Sequence, residues 1–315
     1  MEKEIKNYIT KIIEKHFFCK PQKITRMKSG ICNEVYSIKI TDREVIIRLN
    51  KENDEMKGSE KYIPLFRSKG IKVPEILASD YSKKFVPYYY QIQSKLEGDD
   101  INRVIATLSS TQLRVLANEI ANIFKKLLVI PTNGKFGFVY GSHKNLKKTL
   151  TLDIRKNLKT AIQWGNSTGI LDSDMVTKIL GIFEGNKKYF DTCASRFYYD
   201  DMSSKNILVY KGKFNGLVDL DGVAYGDYLE TVGRIMASWY GTKYGKIYTD
   251  AVMEKLKLSQ KKRKIVLVYA ILNRFFWMCE NGIQFNQNTK GVINKKKAKQ
   301  DRRIVLNLIG ELAHK

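Results

Sequence analysis

A β-hairpin pattern inside an otherwise helical region is the feature that most constrains the fold of this chain. Two strand-like segments flank Lys211-Gly212, and two turn residues with glycine second are typical of a tight hairpin. With that turn, Asn206 lies opposite Leu217, and Asp219 lies two residues further along the same face. A three-residue loop would place the two polar side chains on opposite faces. The two-residue turn therefore predicts that the Asn206 amide and the Asp219 carboxylate meet at one end of the hairpin.

The sequence around the hairpin changes from strand-like to helical near residue 95. An amphipathic helix is predicted over 4–17 and a second helix over 59–68. Alternating apolar residues predict strands over 24–30, 34–40, 44–49, 74–77 and 87–95. Helical spacing follows over 111–129, 144–164, 172–189, 226–244, 248–255, 260–280 and 301–313, with a linker-like stretch over 286–300. We therefore expect an α+β fold, with a small antiparallel sheet lobe over 1–95 and a larger, mainly helical lobe over 96–315.

Three polar residues near the hairpin have the chemistry of a phosphoryl-transfer site. Asp201 precedes Asn206 by five positions, and Asp219 follows Asn206 by thirteen. Phosphoryl transfer needs an aspartate that accepts or orients the incoming hydroxyl, and oxygen ligands that hold Mg²⁺ on the phosphates. One aspartate, one asparagine and a second aspartate supply all three groups. The simpler alternative is that these short polar residues only cap the turns.

The same residues resemble the signature of a known enzyme family. Asp201-x-x-x-x-Asn206, Val218-Asp219-Leu220-Asp221 and Tyr225-Gly226-Asp227 are similar to the motifs H-G-D-x-x-x-x-N, I-D-W/F and G-D. Aminoglycoside phosphotransferases, choline kinases and their relatives share these motifs, and the resemblance spans Lys23 to about Trp239. It implies a two-lobed protein-kinase-like fold, a small-molecule kinase activity, Mg²⁺ as cofactor, and ATP or GTP as phosphate donor.

The resemblance also implies roles for single residues. Asp201 corresponds to the catalytic base, Asn206 and Asp219 to the metal ligands, and Asp227 to an aspartate that positions the following helix. Tyr199 stands where the family has histidine, and we expect it to serve as a packing and hydrogen-bonding scaffold for the loop.

In the first lobe, the resemblance points to residues that bind the nucleotide. Ser29, Gly30 and Asn33 belong to a segment similar to the family's phosphate-covering loop, G-G-x-S-N-x-x-Y. Arg48 corresponds to the strand cation that contacts the phosphates, and Glu60 to the glutamate that pairs with this cation. A hairpin turn, an edge-strand arginine and a helix-start glutamate facing water are the simpler alternatives for these positions.

The segment 89–98 is similar to the hinge that joins the lobes. Gln93 and Lys95 are its predicted nucleotide-binding residues. Because hinge contacts use main-chain groups, the residue types do not distinguish ATP from GTP.

We expect the acceptor to be a small polar molecule with a hydroxyl group. An aminoglycoside-like antibiotic is the preferred candidate, because a cationic molecule would bind in an acidic pocket. Four acidic residues are candidates to line such a pocket: Asp200, Asp221, Glu230 and Glu280. Asp200 stands where the family has a small residue, and a carboxylate beside Asp201 raises the pKa of one of the two acids. Choline, a sugar or another metabolite stays open as the acceptor. A different class of protein also stays open: a kinase fold without catalytic activity, whose basic surface binds RNA or an acidic partner.

The composition bounds the other function classes. The net charge of +24 comes from lysines spread along the whole chain, which favours a solvated surface over a nucleic-acid footprint. Neither the four cysteines nor the three histidines have metal-ligand spacing. No apolar stretch approaches the roughly 18 residues of a membrane span, and the N-terminus lacks a signal-peptide pattern. We therefore expect a cytoplasmic protein with a small-molecule partner, and neither a membrane nor a nucleic-acid partner.

Overall fold

The structure, a computed structural model, describes residues 2–27, 33–52, 54–140, 146–284 and 291–314. The helices are α1 Glu2–Phe17, α2 Ser59–Ser68, α3 Ile101–Val104, α4 Ser110–Leu128, α5 Leu150–Ser167, α6 Ser173–Gly185, α7 Lys187–Thr192, α8 Leu229–Ser238, α9 Lys243–Lys255, α10 Gln260–Cys279 and α11 Lys295–Ala313. The strands are β1 Lys23–Met27, β2 Glu34–Lys39, β3 Glu44–Asn50, β4 Ile76–Asp80, β5 Tyr89–Ser94, β6 Asp99–Asp100, β7 Gly137–Tyr140, β8 Arg196–Tyr198, β9 Ile207–Tyr210, β10 Lys213–Leu217 and β11 Gly222–Gly226. Short 3₁₀ turns lie at Glu55–Gly58 and Ile105–Thr107. This order confirms the predicted α+β fold, with a small antiparallel sheet first and a mainly helical part after it.

The N-terminal sheet is antiparallel, with the strand order β1-β2-β3-β5-β4. Helix α1 buries one isoleucine face, which includes Ile9 and Ile13, in a core shared with Ile47 and Ile92 of the sheet. This is the face that the amphipathic pattern predicts. Strand β4 begins two residues after Pro74, whose missing N–H cannot donate to a ladder.

Helix α2 spans the predicted residues but packs into the core of the helical part. Its buried residues Tyr62, Ile63 and Phe66 belong to the same hydrophobic cluster as α4 and α10. The Tyr62 hydroxyl also donates a hydrogen bond to the Val139 carbonyl at 3.0 Å. The predicted boundary between residues 95 and 96 therefore does not separate two hydrophobic cores, because α2 lies before it and packs into the core of the part after it. The boundary between the lobes stays a proposal.

Helix α10 is the centre of the helical part. All residues from Ile265 to Leu272 are buried, and the helix packs against α5, α8 and α11. A helix that is apolar all round belongs inside a protein. No helix among the described residues is long and apolar enough to cross a bilayer.

Several predicted helix boundaries are wrong. The segment 172–189 forms two helices, because Asn186 adopts φ −110° and ψ 6° and interrupts the helical backbone. Helix α11 starts at Lys295, inside the predicted linker, where the Asn294 side chain caps it by accepting from Lys297 N at 3.0 Å. Helices α5 and α8 start later than predicted, and α9 starts earlier.

Two small sheets contain strands that the sequence did not predict. Their strand orders are β10-β9-β6 and β7-β11-β8. Strands β6, β7, β8 and β11 have only two to five residues, and β11 is buried along its whole length. Such segments lack the alternation of apolar and polar residues by which a strand is predicted.

The predicted hairpin is present, with a shifted register. Lys213 pairs with Tyr210, so the turn has two residues as predicted, and both have positive φ. The register then shifts between Phe214 and Gly216, so that Leu217 pairs with Ile207 rather than with Asn206. The main chain of Asn206 instead accepts a hydrogen bond from Val218 N at 3.0 Å. The predicted pairing of Asn206 with Leu217 was therefore wrong by one residue.

Contacts from distant segments explain the bulge. The Asn215 side chain accepts from Lys72 Nζ at 2.5 Å and donates to the Glu97 carbonyl at 2.8 Å. Gly216 next to it has φ +148°, and an added Cβ there would lie 3.0 Å from the Lys72 carbonyl oxygen. Only glycine adopts this backbone conformation readily, so the bulge depends on both residues.

Gly58, the last residue of the 3₁₀ turn before α2, lies against the segment that follows the hairpin. A Cβ added to Gly58 would lie 1.8 Å from the carbonyl oxygen of Asp221, so one backbone segment must move. We expect Gly58→Ala to lower the free energy of unfolding by about 1–3 kcal/mol, the usual cost of overpacking. Gly181→Ala is the matched control, because the space around Gly181 inside α6 is open. Its unfolding temperature should stay constant or rise, and an equal loss in both variants would contradict the close contact.

Candidate active site

The candidate catalytic loop joins β8 to β9. Asn206 Nδ2 donates to Asp201 Oδ2 at 2.7 Å, and the Ser203 hydroxyl donates to Asp201 Oδ1 at 3.4 Å. Asn206 is buried, whereas the Asp201 side chain is 48% exposed. The loop therefore presents one aspartate to solvent in a fixed orientation, which is the geometry that a general base requires.

Tyr199 connects this loop to the segment that follows the hairpin. Its buried hydroxyl lies 3.0 Å from the carbonyl oxygens of both Val218 and Asp219, to which it can donate, and accepts from Asn206 Nδ2 at 3.0 Å. Burial first, and then the charge of Asp201, raises the pKa of the Tyr199 phenol well above its ordinary value. The phenol therefore stays a neutral donor, and the predicted scaffold role is confirmed by these contacts.

Asp219 lies at a strained point of the backbone, with φ +63°. For a residue other than glycine this left-handed conformation costs energy, and such strain is concentrated at functional sites. Desolvation in the cleft, opposed by the charge of Arg48, raises the pKa of the Asp219 carboxyl to about 6. Half of the side chain remains exposed.

Arg48 reaches this region from β3. Its Nη2 donates to Asp219 Oδ1 at 2.6 Å, while Nη1 and Nη2 donate to the two carboxylate oxygens of Asp221 at 2.6 and 2.5 Å. Burial alone would lower the pKa of Arg48, but the charges of Asp221 and Asp219 outweigh it, so the pKa is raised. The guanidinium is thus a permanent buried cation between the sheet and the hairpin region.

The predicted pairing of Glu60 with Arg48 is wrong. Glu60 is exposed and accepts hydrogen bonds from the Tyr81 hydroxyl at 3.0 Å and from Gln91 Nε2 at 3.3 Å. The inward-facing residue at the start of α2 is Ser59, which is fully buried. Its hydroxyl lies 2.6 Å from the Met56 carbonyl oxygen and 3.0 Å from Gln91 Oε1, and it can donate to either. The resemblance assigned the inward position of α2 to Glu60, whereas its neighbour Ser59 is the residue that faces inward.

The prediction that Asp221 lines the acceptor pocket is also wrong. Asp221 points to Arg48 and accepts from Asn33 Nδ2 at 3.3 Å, on the side of the cleft assigned to the nucleotide. Asn33 is buried and is held in turn by Asn50 at 2.9 Å. A carboxylate already neutralised by a bidentate arginine offers little to a cationic acceptor.

The other predicted nucleotide contacts stay predictions. Ser29 and Gly30 lie outside the described residues. Gln93 is buried and donates to Gln91 Oε1 at 2.5 Å, at the end of β5. The Lys95 ammonium pairs with Glu44 at the start of the central strand β3, so its side chain is engaged there.

Arg234 on α8 gathers the remaining predicted acceptor residues. Arg234 Nη2 lies 3.5 Å from Asp200 Oδ2, and Nη1 lies 3.3 Å from Asp201 Oδ1. Burial raises the pKa values of Glu230 and Glu280, and the positive charge of Arg234 opposes this rise. Asp200, Glu230 and Glu280 therefore surround one arginine next to Asp201. The sequence reasoning missed Arg234, although it lies one helical turn after Glu230, a spacing that brings side chains together.

A further carboxyl group, missed from the sequence, belongs to the same region. Burial, and next the charge of Glu230, raise the pKa of Asp153 on α5 to about 6. Glu230 itself accepts a hydrogen bond from the buried Tyr198 hydroxyl. No local motif marks Asp153, because it reaches the region through the packing of α5.

Asp227 holds the start of α8, as the resemblance implied. It accepts from Leu229 N at 3.1 Å, from the Tyr189 hydroxyl at 2.6 Å and from the Tyr269 hydroxyl at 3.2 Å. Burial raises its pKa against these hydrogen bonds. These contacts make it a structural residue that fixes the helix carrying Glu230 and Arg234.

The donor set between the loop and Asp219 fits a hard divalent cation. In the described contacts Asn206 uses only its amide nitrogen, which leaves the amide oxygen as a ligand, and Asp219 gives Arg48 only one carboxylate oxygen. Mg²⁺ takes oxygen ligands and is usually held by one or two carboxylates together with substrate phosphates. Asn206 and Asp219 could therefore hold Mg²⁺ on a bound nucleotide.

The buried Asp200 makes the stability of the protein depend on pH. Burial first, and then the charges of Asp201 and Glu230 against that of Arg234, raise its pKa to about 7. Since the unfolded value is about 3.9, ionisation of Asp200 destabilises the folded state as pH rises from about 4 to about 7. Asp200→Asn stays neutral, so its melting temperature relative to wild type should increase between pH 5 and pH 8. Asp174→Asn, at an exposed carboxylate, should show no such change, and parallel curves for both variants would contradict the burial argument.

Comparisons with known proteins identify the family and the fold of this chain. A sequence profile of the phosphotransferase enzyme family, APH, matches residues 23–255, while the search of curated proteins gave no match. The structure of aminoglycoside phosphotransferase APH(4)-Ia superposes with a TM-score of 0.72 at 14% identity, over 96% of this chain and 98% of that chain. ADP-bound aminoglycoside phosphotransferase APH(2'')-Ib gives 0.64 at 15% identity, over 99% of each chain. A putative fructosamine-3-kinase from Haemophilus somnus 129PT gives 0.65 at 12% identity, over 95% and 96%. These likenesses show the shared fold, and the profile confirms the predicted resemblance: this chain belongs to the phosphotransferase enzyme family.

Proposed function

We propose that this protein is a Mg²⁺-dependent kinase that transfers the γ-phosphate of ATP or GTP to a hydroxyl of a small, amine-bearing molecule of the aminoglycoside type. The observation that carries the proposal is the single hydrogen-bonded unit of Asp201, Asn206, Tyr199 and Asp219, with Arg48 beside it. A chain that had lost catalysis would have little reason to keep these groups in one connected arrangement.

Asp201 has the role of orienting the acceptor hydroxyl and taking its proton. Its carboxylate is half exposed, so an incoming hydroxyl can reach it, and Asn206 and Arg234 hold it in one orientation. Positioning and electrostatics, rather than covalent chemistry, are the main contributions of a protein to phosphoryl transfer.

Arg48, Asp219 and Asn206 form the phosphate side of the proposed site. Bound Mg²⁺ would neutralise charge on the transferred phosphoryl group. Asp219 and Asn206 supply oxygen ligands for it, and the Arg48 fork has the geometry for phosphate oxygens. The solved relatives APH(4)-Ia, with AMP-PNP or ADP, and APH(2'')-Ib, with ADP, support a nucleotide in this cleft.

The acidic residues around Arg234 support an acceptor that carries ammonium groups. Glu230 and Glu280 are partly exposed near Arg234, whereas Asp200 is buried beside it, and the single charge of Arg234 offsets only part of the negative charge that the two glutamates can carry. An ammonium group in that region would favour their ionised forms. The solved relative APH(4)-Ia was crystallised with hygromycin B.

Substitutions of Asp201 and of Asp219 should impair catalysis in different ways. Asp201→Asn keeps the size and removes the charge, so we expect turnover to fall about 10²-fold or more, the scale of a positioned general base, with little change in nucleotide KM. Asp219→Asn should reduce turnover and also weaken its dependence on Mg²⁺ concentration. Asp174→Asn makes the same charge change at an exposed site on α6 and should leave both quantities unchanged. Steady-state kinetics would contradict the assignment if Asp201→Asn retained turnover.

A panel of acceptors tests the substrate class. ATP and GTP turnover should be measured with aminoglycosides, with amine-bearing metabolites including choline, and with neutral sugars of similar size. We expect turnover with amine-bearing alcohols, and Glu280→Gln should raise their KM more than it changes kcat. Turnover confined to neutral sugars would contradict the acidic-pocket argument while leaving the kinase proposal intact.

A further inference from the structure

Arg48 has two carboxylate partners that are held in different ways. Asp221 binds the guanidinium through both oxygens, at 2.6 and 2.5 Å, whereas Asp219 uses one oxygen at 2.6 Å. The Asp221 side chain is 13% exposed and the Asp219 side chain is 51% exposed. The pair with Asp221 is therefore enclosed and bidentate, and the pair with Asp219 is open and made through one oxygen.

The surroundings also restrain Asp221 from two other directions. Asn33 donates to its Oδ2 at 3.3 Å. Its main-chain carbonyl lies against Gly58, at a position where a Cβ would be only 1.8 Å away. The Asp221 carboxylate is thus held by Arg48 and Asn33 on a backbone that packs against the turn before α2, whereas half of the Asp219 side chain is exposed to solvent.

Helix α2 gives Arg48 no carboxylate. In protein kinases, a glutamate of the corresponding helix pairs with the strand lysine. Here the buried Ser59 contacts Gln91, the cross-strand partner of Arg48, and the exposed Glu60 accepts hydrogen bonds from Gln91 Nε2 and from the Tyr81 hydroxyl. Glu60, the acidic residue of α2, thus binds Gln91 and Tyr81 rather than Arg48.

We propose that Asp221 is the positioning residue of Arg48, taking the place of the helix carboxylate, and that this leaves Asp219 free to exchange Arg48 for a divalent cation. The proposal rests on the kinase function proposed above. Arg48 belongs to the N-terminal sheet, whereas Asp221 directly precedes β11. The pair therefore fixes Arg48 relative to the part of the molecule that carries Asp201. When Asp219 turns away, Asp221 still offsets the charge of Arg48, and Nη2 can then donate to a phosphate oxygen.

Asp221→Asn tests the proposal through the affinity of the protein–ADP complex for Mg²⁺, measured by calorimetry. Without Asp221, the full charge of Arg48 acts on Asp219 and competes with the cation. We expect the Mg²⁺ dissociation constant to rise on the order of tenfold, the scale of one charge-assisted hydrogen bond. The Mg²⁺ concentration for half-maximal turnover should rise in parallel. Asp221→Glu keeps the charge and should recover most of the affinity.

Two more variants separate positioning from general stability. Asp301→Asn removes a different buried ion pair, 2.7 Å from Arg274, and should lower the melting temperature without changing the Mg²⁺ affinity. Ser59→Glu in the Asp221→Asn background returns a carboxylate to α2 and should recover part of the Mg²⁺ affinity. If that double variant does not fold, Asp221→Glu provides the rescue.

An unchanged Mg²⁺ affinity in Asp221→Asn, with a lower melting temperature, would give Asp221 a structural role only and overturn the proposal. An equal loss of affinity in Asp301→Asn would overturn it too. If the wild-type protein bound no ADP, the kinase function and this inference would both fail. ADP binding together with unchanged Mg²⁺ affinity contradicts the inference alone.

Discussion

A buried arginine between two carboxylates ties the N-terminal sheet to the catalytic loop. The Arg48 side chain is 5% exposed, and both partners, Asp219 and Asp221, come from the segment between β10 and β11. Desolvating a guanidinium is costly, and removing one partner of a buried ion pair usually costs about 3–5 kcal/mol. The ion pair therefore says little about the free energy of unfolding, but it shows how the N-terminal sheet is held against the segment that carries Asp219 and Asp221. It fixes where the sheet stands relative to Asp201, and hence where a nucleotide held by the sheet would meet an acceptor.

Tyr199 makes the second connection on which the site depends. Its hydroxyl group lies within hydrogen-bond reach of the carbonyl of Asp219, where the backbone is strained, and of the amide of Asn206. A phenol has one donor and can accept as well, so it can serve a strained carbonyl and an asparagine amide together. This explains in physical terms how a tyrosine can stand where the family has histidine. Both candidate metal ligands then depend on one buried side chain.

Features that depend on local periodicity could be predicted from the sequence, and features set by distant contacts could not. The hairpin turn at Lys211-Gly212 and the bounds of α2 follow from local rules, and both are confirmed. The hairpin register does not follow from local rules, because the Asn215 side chain binds Lys72 and the Glu97 carbonyl, both far away in the sequence, and the strand bulges at this point. A hairpin argument confined to its own residues has no means of finding such a bulge.

The same distinction holds within the candidate site. Asp201, Asn206, Tyr199 and Asp219 were found because motif spacing reports on the loop and the hairpin, which are continuous in sequence, and the structure brings them together. The resemblance assigned Glu60 to Arg48, but in the packed helix Ser59 is the buried residue and Glu60 binds Tyr81 and Gln91. Motifs identify the chemistry of a site, whereas the packing of whole elements decides which side chains turn inward.

The adjacent acids Asp200 and Asp201 show how one loop separates two chemically identical groups. Residues next to each other point in different directions, so Asp200 turns into the protein, at 8% exposure, while Asp201 faces the cleft. Arg234 contacts both, and burial raises the pKa of the Asp200 carboxyl to about 7 against the charge of Arg234. Near neutral pH, Asp200 can therefore carry a proton and reduce the repulsion that a second charge would exert on Asp201. An additional carboxylate beside a catalytic base is tolerable for this reason: burial weakens its charge, and Arg234 compensates for what remains.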